Sequence, residues 1–214
     1  MKHSHLAVAA LASLSALAGL IGCSNAVMDP KYERNTNPRQ KVVVTAKITG
    51  SPGPFKAASV NVRYKIGPTQ ECMPDAEPFS GHFPTPDSFD ITPSLNKVSE
   101  TEYRFDIYLD AMANKDYFGK GTCGWVIDYA ALTLRPTGSP AEVSLAAFMS
   151  HAEVEAELPM TLYWQRALYG TLRRQSQPVS ESALKQEEYE KYRSPDLSDT
   201  ISVTLQAKEL GNDN

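Results

Sequence analysis

Clustered positive charge is the first thing this chain lacks. Lys and Arg number 21 against 25 Asp and Glu, a formal charge of −4. No basic run occurs, so nucleic acid is not an expected partner, because phosphate attraction needs grouped cations. Histidine is scarce too: of four in all, only His82 and His151 lie beyond the first five residues. Scattered among three cysteines, they give no zinc-ligand spacing. Asp110, Asn114 and Asp116 offer oxygens but not the loop periodicity of a calcium site. No metal or cofactor is therefore expected. There is also no Gly-x-Ser-x-Gly elbow, phosphate loop or His-Glu-x-x-His pattern, and the chain is not expected to be an enzyme. The longest apolar run, Leu6 to Leu20, is about fifteen residues, short of the roughly twenty that cross a bilayer core.

What is there begins with that run. Lys2 supplies a basic start, Leu6 to Leu20 contains only Leu, Ala, Val, Ser and Gly, and small residues end it. This is the layout of a secretory signal. The residues that close it, Leu20-Ile21-Gly22-Cys23, resemble the lipobox of bacterial lipoproteins, in which the chain is cut just before the cysteine. The resemblance implies a signal peptide over 1–22, recognised by its peptidase through Leu20 and Gly22. It also implies lipidation of Cys23, with palmitate among the acyl chains and the membrane as a partner through that lipid. A thiolate is the nucleophile suited to take up the diacylglyceryl group, and two or more acyl chains anchor where one does not. Ser24 follows the cysteine, where Asp marks inner-membrane retention in Gram-negative lipoproteins. The location implied is the outer membrane of the cell envelope, facing the periplasm. The resemblance covers only residues 1 to about 24 and carries nothing about the mature fold.

With Cys23 claimed, Cys72 and Cys123 remain as an even pair in an exported protein, where thiols oxidise. A Cys72–Cys123 disulfide is expected, closing a loop of about fifty residues worth roughly 4 kcal/mol on the chain-entropy model. Gly121-Thr122-Cys123-Gly124-Trp125 faintly resembles the surroundings of a catalytic cysteine in papain-like enzymes. A nucleophilic cysteine needs a nearby imidazole and usually a helix amino terminus, however, and a β-rich stretch follows here.

The stretch 23–40 is polar and proline-bearing without apolar period, and reads as a lipidated flexible tether spanning roughly 20–25 Å. From 41 to 210 the chain reads as a single domain. Val42, Val44, Ala46 and Ile48 alternate with polar or smaller residues, as do Val60, Val62, Tyr64 and Ile66, then Tyr103, Phe105, Ile107 and Leu109. Cys123 to Leu134 looks like a central strand, Val143 to Met149 another, and Ala152 to Leu158 one more with its phase shifted at Ser150-His151. Pro159 to Tyr169 fits strand or helix, with a lean to strand. Ser180 to Arg193 reads as a short solvated helix or a mobile insert. Ile201, Val203, Leu205 and Ala207 close the domain. The fold class expected is all-β, an antiparallel sandwich of about seven to eight strands, immunoglobulin-like in the loose sense.

Two surfaces stand out as partner sites. In the proline-rich stretch Gly67 to Ser88, pinned by Cys72, Phe79, His82 and Phe83 are candidate anchors, since aromatics on a stiffened loop dock at low entropic cost. Glu153, Glu155 and Glu157 would share one strand face about 7 Å apart, a stripe suited to a basic partner, or simply a solvated outer face. Tyr163, Trp164 and Tyr169 read as core. The function expected is a membrane-anchored envelope lipoprotein with a non-catalytic protein-binding sandwich, of an inhibitor or immunity type. Its partner is an envelope or secreted protein. The alternative is a structural or assembly lipoprotein of an envelope complex.

Overall fold

A computed structural model describes residues 26–76, 81, 84–172 and 180–210. In chain order the strands are β1 (Lys41–Thr49), β2 (Ala57–Ile66), β3 (Ser88–Ile91), β4 (Leu95–Lys97), β5 (Glu102–Tyr108), β6 (Trp125–Arg135) and β7 (Ser144–Ser150). A helix α1 (His151–Ala156) follows, then β8 (Met160–Gln165), a 3-10 turn at Arg166–Leu168, β9 (Ser180–Ser182), β10 (Leu184–Lys185), α2 (Gln186–Tyr192) and β11 (Thr200–Glu209). They form a six-stranded sheet, β10-β8-β11-β1-β5-β4, and a five-stranded sheet, β3-β2-β6-β7-β9. Every pairing is antiparallel except β7 with β9. The chain is an all-β sandwich, immunoglobulin-like only in the loose sense that two sheets face each other.

The alternation in the sequence explains why the two sheets meet. Val42, Val44, Ala46 and Ile48 of β1 share one core with Val60, Val62 and Tyr64 of β2, Phe105 and Ile107 of β5, and Val203 and Leu205 of β11. With a period of two, one face of each strand is apolar and must be covered, and the opposite sheet covers it. At about 25 cal/mol per Å² of apolar surface removed from water, such burial is the main force closing the sandwich. Burial also pushes the Tyr64 hydroxyl up to about 12, and that hydroxyl donates to the Tyr108 carbonyl at 2.8 Å.

Among the described residues, every sheet edge is a strand of four residues or fewer. Short edges offer little template for pairing with another chain. The strand register defines two ends. Lys41 lies opposite Tyr108, Val42 opposite Glu209, Ile66 opposite Trp125, Tyr129 opposite Ser150, and Met160 opposite Leu205. The Tyr64–Tyr108 bond between the sheets sets Lys41, Tyr108, Glu209, Ile66 and Trp125 at one end, where Cys123 also lies, while Tyr129, Ser150, Met160 and Leu205 stand further up the strands.

The expected tether differs in its described part. Residues 26–40 are packed on the domain, not free. Val27 N–H donates to Thr85 Oγ1 at 2.9 Å, Asn35 N–H to Ala111 O at 2.9 Å, and Ala113 N–H to Glu33 O at 2.9 Å. Arg34 and Met112 form an antiparallel bridge. The Asp110 carboxylate accepts Arg39 N–H at 2.9 Å and Gln40 N–H at 3.0 Å. The Tyr32 ring stands edge-on to Trp125 at 4.7 Å between centroids. A composition of prolines and polar residues cannot reveal backbone pairing with a loop some seventy residues away, which is what holds this segment.

Candidate functional site

The Cys72–Cys123 disulfide is present, with Cα atoms 5.3 Å apart. Two backbone contacts set Cys123 in place: its N–H donates to Lys115 O at 2.9 Å, and Gly67 N–H donates to Gly124 O at 3.1 Å. Ile66 and Met73 bury the bridge, with Tyr32, Tyr117, Phe118 and Trp125 around them. Since its sulfur is half of a disulfide, Cys123 offers no thiolate, and the likeness to a catalytic cysteine ends there. The Tyr32 hydroxyl donates to the Pro86 carbonyl; burial first, then Asp87 and Tyr117, push its pKa far above the ordinary value. The loop carboxylates turn inward upon their own backbone. Asp116 accepts N–H bonds from Phe118, Gly119 and Lys120 at 2.7–3.2 Å, while Asp110 holds the Arg39 and Gln40 amides. Among the described residues no three His, Cys, Asp or Glu side chains gather as a metal site, and no helix is long and apolar enough to cross a membrane.

Leu20, Gly22 and Cys23 lie outside the described residues, as do Phe79, His82 and Phe83. The described flanks of the proline-rich loop, Asp75 and Ala76 on one side and Pro84 on the other, leave from the disulfide end. Lys120 pairs with Asp75 there at 2.6 Å.

The acidic stripe is not formed. Glu153 and Glu155 stand on α1, not on a strand, and Glu157 follows it in the left-handed conformation at φ 54°. Each carboxylate serves a different contact. Glu153 accepts Ser150 N–H at 2.8 Å and Ser150 Oγ–H at 2.9 Å, and pairs with Lys185 Nζ at 2.5 Å. Glu155 lies 3.3 Å from His151 Nε2, and Glu157 Oε1 accepts Glu209 N–H at 2.8 Å. The signal for helix was in the sequence: Ser150-x-x-Glu153 is a capping-box spacing, and Glu and Ala favour helix over strand. The apparent alternation rested on too few residues, of which only Val154 is buried.

A different cluster is assembled on the outer face of the five-stranded sheet. Asn61, Arg63 and Lys65 are the outward positions of β2. The register sets Arg63 opposite Asp90 of β3 on one side and Tyr129 of β6 on the other, beside a bulge between Arg63 and Tyr64. Arg63 Nε and Nη2 donate to the two Asp90 oxygens at 3.0 and 2.9 Å, and Asn61 Nδ2 adds a third bond at 2.9 Å. The Arg63 guanidinium lies 5.2 Å from the Tyr129 ring centre, and Tyr129 meets Phe148 of β7 edge-on at 5.4 Å. Phe148 is 39% exposed. Its hydrogen bond to Arg63 holds the Asp90 pKa below the usual carboxylate range, and the same bond raises that of Arg63. Chemically this is a guanidinium fixed by a carboxylate, with an aromatic ring beside it.

The alternation of Val60, Val62, Tyr64 and Ile66 leaves Asn61, Arg63 and Lys65 outward but does not connect them to a site. Asp90, Tyr129 and Phe148 sit on three other strands, and only the register brings them into line. Neither a protein-family model, nor a curated protein, nor a solved structure matches this chain.

Proposed function

We propose that this chain is a lipid-anchored envelope protein, held at the outer membrane through Cys23, whose sandwich binds another envelope or secreted protein without doing chemistry on it. The observation that carries the binding reading is the Asp90–Arg63–Tyr129–Phe148 strip. Arg and Tyr are enriched where interface energy concentrates. The Asp90 fork fixes a side chain that otherwise loses about 2 kcal/mol of rotamer entropy on binding. An inhibitor or immunity type of role fits a rigid face of this kind, because blocking a protein needs affinity and no turnover. The lipobox Leu20-Ile21-Gly22-Cys23 supports the anchor.

The test uses the chain from Ala26 onward as bait in envelope extract, beside Arg63→Ala, Phe148→Ala and, on the other sheet, Lys47→Ala. The expected result is one stoichiometric protein captured by the parent and by Lys47→Ala, with affinity reduced about thirtyfold by Arg63→Ala, the ~2 kcal/mol of an interface anchor. Equal capture by all four baits would remove the strip from the argument. A set of membrane assembly proteins in place of a single partner would favour the scaffold role instead.

A further inference from the structure

The described chain starts at Ala26, three residues after the cysteine of the lipobox. At 3.3–3.6 Å per extended residue, Cys23 and Val27 are at most about 14 Å apart along the chain. Val27 is fixed: its N–H bonds Thr85 Oγ1, and Thr85 is fully buried just ahead of β3. Resting on the lipid-anchor reading, we propose that the sandwich stands on the bilayer on its disulfide end, with the lipid surface as the occupant of that end.

The side chains there suit this. Met28 is 71% exposed and Val27 40%. Across the same end Leu158 is 68% exposed and Leu210 42%. The Glu209 N–H bond to Glu157 Oε1 and the Leu210 N–H bond to Lys41 O, at 3.0 Å, hold these two there. Apolar residues near a surface gain by entering the headgroup boundary, and each adds to what the acyl chains supply. Three of the cations at this end are already matched by carboxylates, which leaves the exposed apolar side chains as the main contribution. Lys31 pairs with Asp29, Lys115 with Glu33 and Lys120 with Asp75, so the arrangement should survive high salt.

The consequence is positional. At about 3.3 Å per residue, Arg63 lies roughly 10 Å above the disulfide end, and the far turns at Gly50 and Gly138 roughly 30 Å above it. A partner using the Arg63 strip therefore approaches sideways, near the lipid.

The test takes the full lipidated chain in vesicles of phosphatidylethanolamine and phosphatidylglycerol carrying an acceptor dye on the lipid headgroup. A donor dye is attached through Met28→Cys or Val98→Cys, and palmitate labelling is measured on the same samples. Energy transfer should be several-fold stronger from position 28 than from 98, and should persist at high salt. A twenty-residue Gly/Ser spacer inserted after Ser24 should shrink the contrast. Equal transfer from both positions in a palmitate-labelled, vesicle-bound protein overturns this proposal alone. Absence of palmitate with no vesicle retention overturns the anchor reading and this proposal with it.

Discussion

Replacing Cys72 and Cys123 together by alanine isolates what the disulfide contributes. The two residues are 51 apart in sequence. On the chain-entropy model, cross-linking them removes about 4 kcal/mol of freedom from the unfolded ensemble. The folded state loses less, because alanine keeps the Cβ atoms and only two sulfurs leave a pocket lined by Ile66, Met73 and Tyr32. That void adds on the order of 1 kcal/mol. A total near 4–5 kcal/mol is a large share of the stability of a domain this size. It would lower Tm by roughly 8–20 °C at 2–4 °C per kcal/mol. Urea titration followed by tryptophan fluorescence reads both sheets at once. Trp125 packs beside the bridge in one sheet, while Trp164 is buried in the other with its Nε1–H on Glu181 O at 3.0 Å. The m-value should rise as the uncrosslinked chain expands on unfolding. A loss under about 1 kcal/mol with an unchanged m-value would refute the entropy argument and leave the bridge as local packing.

Three further outcomes follow from single contacts. Gly124→Ala places a Cβ 2.8 Å from the Gly67 carbonyl oxygen, a backbone atom that cannot swing aside; a loss of about 1–3 kcal/mol in thermal unfolding is expected. Glu142 is fully buried and accepts Thr137 N–H at 3.0 Å, Gly138 N–H at 2.9 Å and Thr137 Oγ1–H at 3.2 Å. Glu142→Ala should cost about 2–4 kcal/mol by stranding those donors, and speed hydrogen exchange at the Thr137 and Gly138 amides. At Glu153 burial works to raise the pKa, but the bonds from Lys185 and Ser150 outweigh it and the net shift is downward. Its contribution is therefore present above the unfolded value near 4.3 and drains away as pH falls through the lower folded value. Parent and Glu153→Gln should differ by about 1 kcal/mol or less at pH 7 and converge near pH 2, which urea midpoints at the two pH values would check.

Much of this fold is legible where strands are long. β1, β2, β5, β7 and β11 each place an alternating apolar set in the core, and the seven strands of six residues or more all fall on expected strands, whereas the strand expected over Ala152 to Leu158 is the helix α1. The four edge strands were not legible. A run of two to four residues carries no measurable period, and pairing with a neighbour is what makes it a strand. Of the solvated helix or mobile insert expected over 180–193, the helix forms as α2, but behind two short strands and with Tyr189 buried against Tyr163. The disulfide was readable once the lipobox reading set Cys23 aside and left Cys72 and Cys123 as a pair in an exported chain. The strip was not, because Arg63, Asp90 and Tyr129 lie 27 and 66 positions apart. Only register and a bulge decide that they share a line.

That same register bears on how a partner would be held. A β-rich protein can bind through an open edge, lending backbone donors to an incoming strand, or through a face, offering side chains. Here the edges are closed off by pieces too short to guide a strand. One of those pieces, β3, has a second use: Asp90 reaches from it to clamp Arg63 on its neighbour. The edge strand thus spends its outward carboxylate on stiffening the face instead of inviting another chain. A guanidinium held at Nε and Nη2 and lying over Tyr129 has lost its rotamer freedom during folding, so that loss does not recur at encounter. On the proposed binding role, the element that protects the sandwich from unwanted pairing is therefore also the one that would ready its face for a partner.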